Sequence, residues 1–149
     1  MDLWSGAEAL GDGRLNMRRP ETKTLPVRKS AIAPDGSEVR VLLALDSLGS
    51  TAHFKLRAHE VSRAVAHKTV HEIWYVLRGR GEIWRSFKGR QRVVRLRPGT
   101  CVTLPLGTRF QFRNTTGRSL EIHGVTMPPW PSTKDEARVV DGKWKPTVR

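Results

Sequence analysis

The sequence predicts an all-β fold, a sandwich or barrel of short strands. Three observations predict it. About eight short runs rich in aliphatic, β-branched and aromatic residues follow one another at hairpin spacing. Glycine- and proline-bearing turn signals separate them. No stretch between them carries a convincing helical period.

The elements follow in order. Residues 1–25 are rich in Gly and Arg and contain Pro20, without a sustained period, and predict an extended N-terminal arm. Asp35-Gly36 signals a turn before EVRVLLALD, residues 38–46, the first strand candidate. In TAHFKLR, residues 51–57, Ala52, Phe54 and Leu56 alternate with His53, Lys55 and Arg57. That period of two predicts a strand with one buried face. Residues 58–71 read as a loop. EIWYVLR, residues 72–78, is too short and aromatic-rich for an amphipathic helix and predicts a covered strand. Arg78-Gly79-Arg80-Gly81 predicts a tight hairpin turn, because glycine takes positive φ without a Cβ clash. EIWRSFK is the return strand, Lys88-Gly89 turns again, and residues 91–97 follow. Pro98-Gly99, Leu106-Gly107 and Thr116-Gly117 separate strands at 100–105, 108–114 and 119–127. Pro128, Pro129 and Pro131 then end the strands, since proline cannot donate to a ladder. The organisation is one domain: an arm over 1–25, a barrel over 26–130 and a polar C-terminal tail over 131–149.

Composition bounds the function. With 149 residues the chain can bury one sizeable core. It holds no apolar run long enough for a membrane span, and it does not open on a secretory signal. Cys101 is the only cysteine, which excludes an intrachain disulfide; a small buried residue is the simplest reading. A cytoplasmic protein is expected, in which Asn114-Thr115-Thr116 has no meaning as a glycosylation sequon. The net charge is +13, from 27 Lys+Arg against 14 Asp+Glu. The cations are scattered rather than run together, which argues for solvated faces and against nucleic acid as a partner.

Two spacings carry a resemblance. His67, four residues, Glu72, six residues and Gly79 fit the second half of the motif G-x5-H-x-H-x(3,4)-E-x6-G. Gly99, Pro105, Gly107 and Asn114 fit G-x5-P-x-G-x2-H-x3-N. These resemble the two signature motifs of the cupin superfamily, and VTMPPWP with the later Gly-Lys-Trp resembles the ends of small single-domain bacterial cupins. The resemblance implies a double-stranded β-helix, or jelly-roll, barrel with extended N- and C-terminal arms. It also implies a site inside the barrel, where cupins hold a divalent metal between three histidines and a glutamate. The chain departs from that pattern twice: Val65 and Phe110 stand where the first and last histidines belong.

His67 and Glu72 are therefore the candidate catalytic residues and the only motif-matched metal ligands. Imidazole and carboxylate suit iron, manganese, nickel or zinc, but two ligands hold an ion poorly. The recruits to consider are His53, His71 and His123. The competing reading is a metal-free pocket in which His67 and Glu72 bond each other or a ligand. The pair could transfer a proton, with the carboxylate orienting the imidazole, or be purely structural. If Glu72 and position 110 point inward, so do Trp74, Val76, Phe112 and Asn114. Trp74, Phe110 and Phe112 are the candidate ligand-binding residues of an apolar pocket, against the alternative that they only fill the core.

Two functions of different class follow. One is an enzyme acting on a small organic substrate inside the barrel, with isomerase, cyclase and oxygenase-type chemistry left open. The other is a non-catalytic small-ligand-binding cupin without a tightly bound metal. Ile73, Tyr75 and Leu77 would then face outward as an apolar row that must be covered. This predicts a homodimer.

Overall fold

The computed structural model describes residues 19–131 and 136–149. Eleven strands are formed among them: β1 Ala31–Ile32, β2 Glu38–Leu45, β3 Gly49–Leu56, β4 Val65–His67, β5 His71–Arg78, β6 Gly81–Phe87, β7 Arg90–Leu96, β8 Cys101–Leu104, β9 Arg109–Asn114, β10 Leu120–Met127 and β11 Ala137–Val139. No helix in the described residues is long and apolar enough to cross a membrane.

The strands form two antiparallel sheets, ordered β1-β2-β3-β10-β5-β8 and β11-β4-β9-β6-β7. From β3 onward every connection but the β6–β7 hairpin crosses from one sheet to the other, which is the winding of a double-stranded jelly roll. The central strands of both sheets turn an apolar side inward. In β5, Glu72, Trp74 and Val76 are buried while His71, Ile73, Tyr75 and Leu77 are exposed. The shared core holds Trp74, Phe110, Phe112, Leu56, Ile83 and Ile122, each at most 1% exposed. Trp74 sits at its centre, edge-on to Phe110 and Phe112 at ring-centroid distances of 5.5 and 4.9 Å.

Several sequence readings are corrected. Residues 78–81 do not make a hairpin: β5 pairs with β10 and β8, whereas β6 pairs with β7 and β9. The turn carries the chain from one sheet to the other. Gly79 takes φ +85°, and a Cβ there would strike the Ser119 carbonyl; one on Gly81 would strike the Arg113 carbonyl. Glycine is needed for close approach, not for hairpin geometry. The hairpin at Lys88-Gly89 does form, with both residues at positive φ as a two-residue loop requires. The stretch 58–71 contains β4, and the tail contains β11 paired to it. The tail is bound into the fold beyond β11 too. Gln111, fully buried on the outer side of its sheet, donates to the Ser62 and Trp144 carbonyls at 2.8 and 2.7 Å and accepts from Trp144 N–H at 2.8 Å. Trp144 lies over the Arg113 guanidinium at 4.3 Å. Cys101 is exposed rather than buried, because Val102 and Leu104 take the inward positions of β8.

Candidate functional site

One end of the jelly roll brings the predicted pair together. His67 closes β4 and Glu72 opens β5, and the loop between them is short enough to return the chain across that end. His67 Nε2 lies 2.6 Å from Glu72 Oε2. The other ring nitrogen, Nδ1, lies 2.8 Å from Glu136 Oε2. All three residues are buried: His67 at 8%, Glu72 at 3% and Glu136 at 2% exposure. Glu136 enters just before β11, and its second oxygen accepts from Thr69 N–H, Thr69 Oγ1 and Val70 N–H at 3.1–3.3 Å. The same carboxylate thus fixes the histidine and the loop that follows it.

The electrostatics favour an ion cluster. Burial alone would lower the His67 pKa. The hydrogen bonds to Glu136 and Glu72, with their negative charges, overcome that and raise it to about 9. The ring is then imidazolium and donates from both nitrogens. Burial pushes Glu136 upward, but the His67 bond and charge and the Thr69 contacts leave its pKa below the usual carboxylate value. Asp35 lies near enough to feel both His67 and Glu72. Burial raises its pKa against the lowering effect of two Ser37 bonds, at 2.8 Å from N–H and 2.7 Å from Oγ.

The rings of Phe110 and Trp130 flank His67, each with its centroid 5.3 Å away, Trp130 edge-on. Asp35, His67, Glu72, Trp74, Phe110 and Trp130 line a cavity of about 10 Å³, the room one water needs. Trp74 brings to this lining an indole N–H that is buried with no partner among the described residues. Phe112 does not reach the cavity; it packs behind Trp74 in the core. Of the three predicted ligand-binding aromatics, Trp74 and Phe110 stand at the site.

The two departures from the histidine pattern meet in space. Val65 and Phe110 are cross-strand partners between β4 and β9, and both are 1% exposed. The three recruits stay away. His53 lies opposite Arg40 and His123 on the outer side of its sheet and bonds Glu121 at 3.0 Å. His123 faces Tyr75 there as well. His71 is exposed, and its Nδ1 accepts from Leu106 N–H at 3.0 Å. No group of three or more His, Cys, Asp or Glu side chains is arranged to hold a metal ion among the described residues. The donor set does not fit a tightly held metal: Glu72 and Glu136 sit on opposite nitrogens of one ring, and the remaining wall is mostly apolar.

Sequence reasoning missed Glu136, Asp35 and Trp130. Trp130 was visible within VTMPPWP but had no assigned place, and an isolated acid in a polar tail gives no signal of burial.

A family model of the cupin domain matches residues 52–126, half of the chain. No curated protein matches the sequence. Among solved structures, the chain is similar to Streptomyces PAC13 solved with uridine, at 14% identity and TM-score 0.61, covering 81% of this chain and 92% of that one. An uncharacterized conserved protein with a double-stranded β-helix domain from Klebsiella pneumoniae is similar at 13% identity and TM-score 0.58, covering 74% and 89%. The cupin domain of Schizosaccharomyces pombe Cnp3 is similar at 11% identity and TM-score 0.56, covering 62% of this chain and 61% of that domain, so the chain spans under two-thirds of its length. At these identities the likeness is one of fold.

Proposed function

This chain is a member of the cupin family, and from that premise we propose that it binds a small organic molecule at the His67 end of its jelly roll and transfers a proton there without a tightly held metal. The observation that carries the reading is the Glu72–His67–Glu136 chain, with both imidazole nitrogens on carboxylates at 2.6 and 2.8 Å. Glu136 orients the ring and keeps it charged, while Glu72 and Trp74 face the small cavity. Glu72 is the group to accept a proton from an acidic C–H or O–H, and the His67 imidazolium is the group to return one. Chemistry of the isomerase or cyclase type fits such a pair. A ligand larger than one water has to displace Trp130, which lies edge-on against His67. The unpartnered Trp74 N–H offers such a ligand a hydrogen bond.

The test is a thermal-shift and ligand-observed NMR screen of small organic molecules, with nucleosides included because PAC13 was solved with uridine. Hits are then incubated in deuterated buffer. The expected result is a binder that exchanges a carbon-bound proton or is isomerised, with Glu72→Gln abolishing turnover while retaining binding. Binding without turnover would favour the non-catalytic reading. Stoichiometric metal surviving dialysis against a chelator would overturn the metal-independent reading.

A further inference from the structure

At the opposite end of the jelly roll lies a second feature, independent of the His67 site. The β5–β6 crossover, the β7–β8 turn and the β9–β10 loop converge there. They border two open hollows of about 780 and 1340 Å³ that share Arg80. Arg95 and Arg97 line the smaller, and Arg78, Arg118 and Lys55 line the larger. Two acids line the hollows with these six cations and a third, Glu38, lies opposite Lys55 in the sheet, where Arg57 holds it at 2.8 Å; the two lining acids are engaged as well. Glu82 takes the Arg113 guanidinium at 2.7 and 3.0 Å, and Glu121 takes His53 at 3.0 Å and Arg78 at 3.7 Å. Among the described residues, Arg80, Arg95, Arg97 and Arg118 have no carboxylate within 4 Å and are exposed.

The backbone under these arginines is tied down. Asn114, 3% exposed, donates to the Arg118 carbonyl at 2.6 Å and accepts from Thr116 N–H at 2.9 Å. Gly99 N–H donates to the Val76 carbonyl at 2.9 Å, and Arg97 N–H to Thr100 Oγ1 at 3.2 Å. Four uncompensated guanidinium groups, those of Arg80, Arg97 and Arg118 on these turns and that of Arg95 near the end of β7, repel one another, and an anion relieves that repulsion. Guanidinium forks match phosphate oxygens two at a time, which favours phosphate over a diffuse counter-ion cloud. Neither hollow is lined by an aromatic ring, so nothing there stacks a nucleobase.

We propose that this end of the barrel is a binding site for a small oligophosphate, a ligand with two or more linked phosphate groups spanning the two hollows across Arg80. Inorganic tripolyphosphate is the probe. Calorimetric titration at low and at physiological salt should give one site per chain, with clear preference over orthophosphate at matched ionic strength. The double variant Arg80→Ser/Arg97→Ser should weaken binding by about tenfold or more, the loss expected from removing charge-assisted hydrogen bonds. A charge-matched control, Arg90→Ser/Arg109→Ser, removes two exposed arginines elsewhere and should change affinity by less than about twofold. Equal losses in both double variants, or no preference over orthophosphate, would show a net-charge effect and overturn the site. So would binding confined to a single-stranded oligonucleotide or an anionic vesicle with which tripolyphosphate does not compete.

Discussion

His67 is a cation inside the fold, and that makes stability depend on pH in a definite direction. Its folded pKa, about 9, stands above the unfolded value of 6.5. The contribution is therefore complete below about pH 6.5 and is lost as pH rises through 9. Urea unfolding across that window should show the wild type losing up to roughly 3 kcal/mol relative to His67→Gln, the equivalent of the shift. Asp35 and Glu136 both respond to the His67 charge, so the difference between the two proteins reads the titration of the whole cluster. A pH-independent gap between them would mean that the imidazole is neutral in the fold. The Val65–Phe110 pair yields a second outcome. The two positions face each other beside His67, so Val65→His with Phe110→His should assemble three imidazoles and Glu72. Without metal the double variant should lose about 3 kcal/mol or more from the core. Zinc should recover it, with calorimetric affinity far above wild type; no gain would mean that the two strands do not present these side chains to a common point. His67 and Glu72 were legible because a fixed spacing across a short loop identifies them. Glu136 and Asp35 were not, because their burial is decided by where distant segments dock, which no local pattern encodes.

At the scale of elements, alternation within a strand was legible and partnership between strands was less so. β5 reads correctly as a strand because its apolar run is short and aromatic-rich, but it reads as covered on both sides, whereas Ile73, Tyr75 and Leu77 are exposed. Its turn reads wrongly as a hairpin because positive-φ glycine serves both a hairpin and a crossover between sheets; only contacts at Ser119 and Arg113 distinguish them. β4 and β11 have three residues each, too few to establish a period. Their pairing with each other delivers Glu136 to His67. The tail is further anchored by Gln111, whose amide bonds Trp144 as a neighbouring strand would. Gln111→Ala should cost about 1–3 kcal/mol, since it orphans buried partners. Hydrogen exchange should then speed up selectively over residues 140–148. If those amides keep their protection while global stability falls, the glutamine supports the sheet and not the tail.

For the whole molecule, the unanswered demand is the outer face of the six-stranded sheet. Ile73, Tyr75 and Leu77 are 37%, 47% and 48% exposed along β5, and Leu45 adds apolar surface on β2 of the same sheet. The described part of the arm reaches the other side of this face: Arg40 on β2 donates to the Pro26 and Val27 carbonyls, and Arg19, Pro20 and Glu21 border a hollow with Leu45, Thr51 and Val125, while Ile73, Tyr75 and Leu77 stay exposed. An apolar row of this kind on a chain carrying +13 is costly to leave in water while the charges oppose association. A two-fold contact that places the row on its own copy satisfies the first demand and leaves the arginines at the barrel end outside the interface. The expected state is thus a homodimer whose affinity rises with salt, the reverse of an association driven by opposite charges. Light scattering at micromolar concentration should give twice the chain mass, and Tyr75→Lys should give one chain mass without loss of thermal stability of the fold. Cys101 supplies an independent readout, because it is exposed and directly opposite Tyr75 across β5 and β8. Its alkylation should be slow in the wild type and fast in Tyr75→Lys. A wild-type monomer with a rapidly alkylated Cys101 would show that this face stays open to water, and the dimer would have to be abandoned.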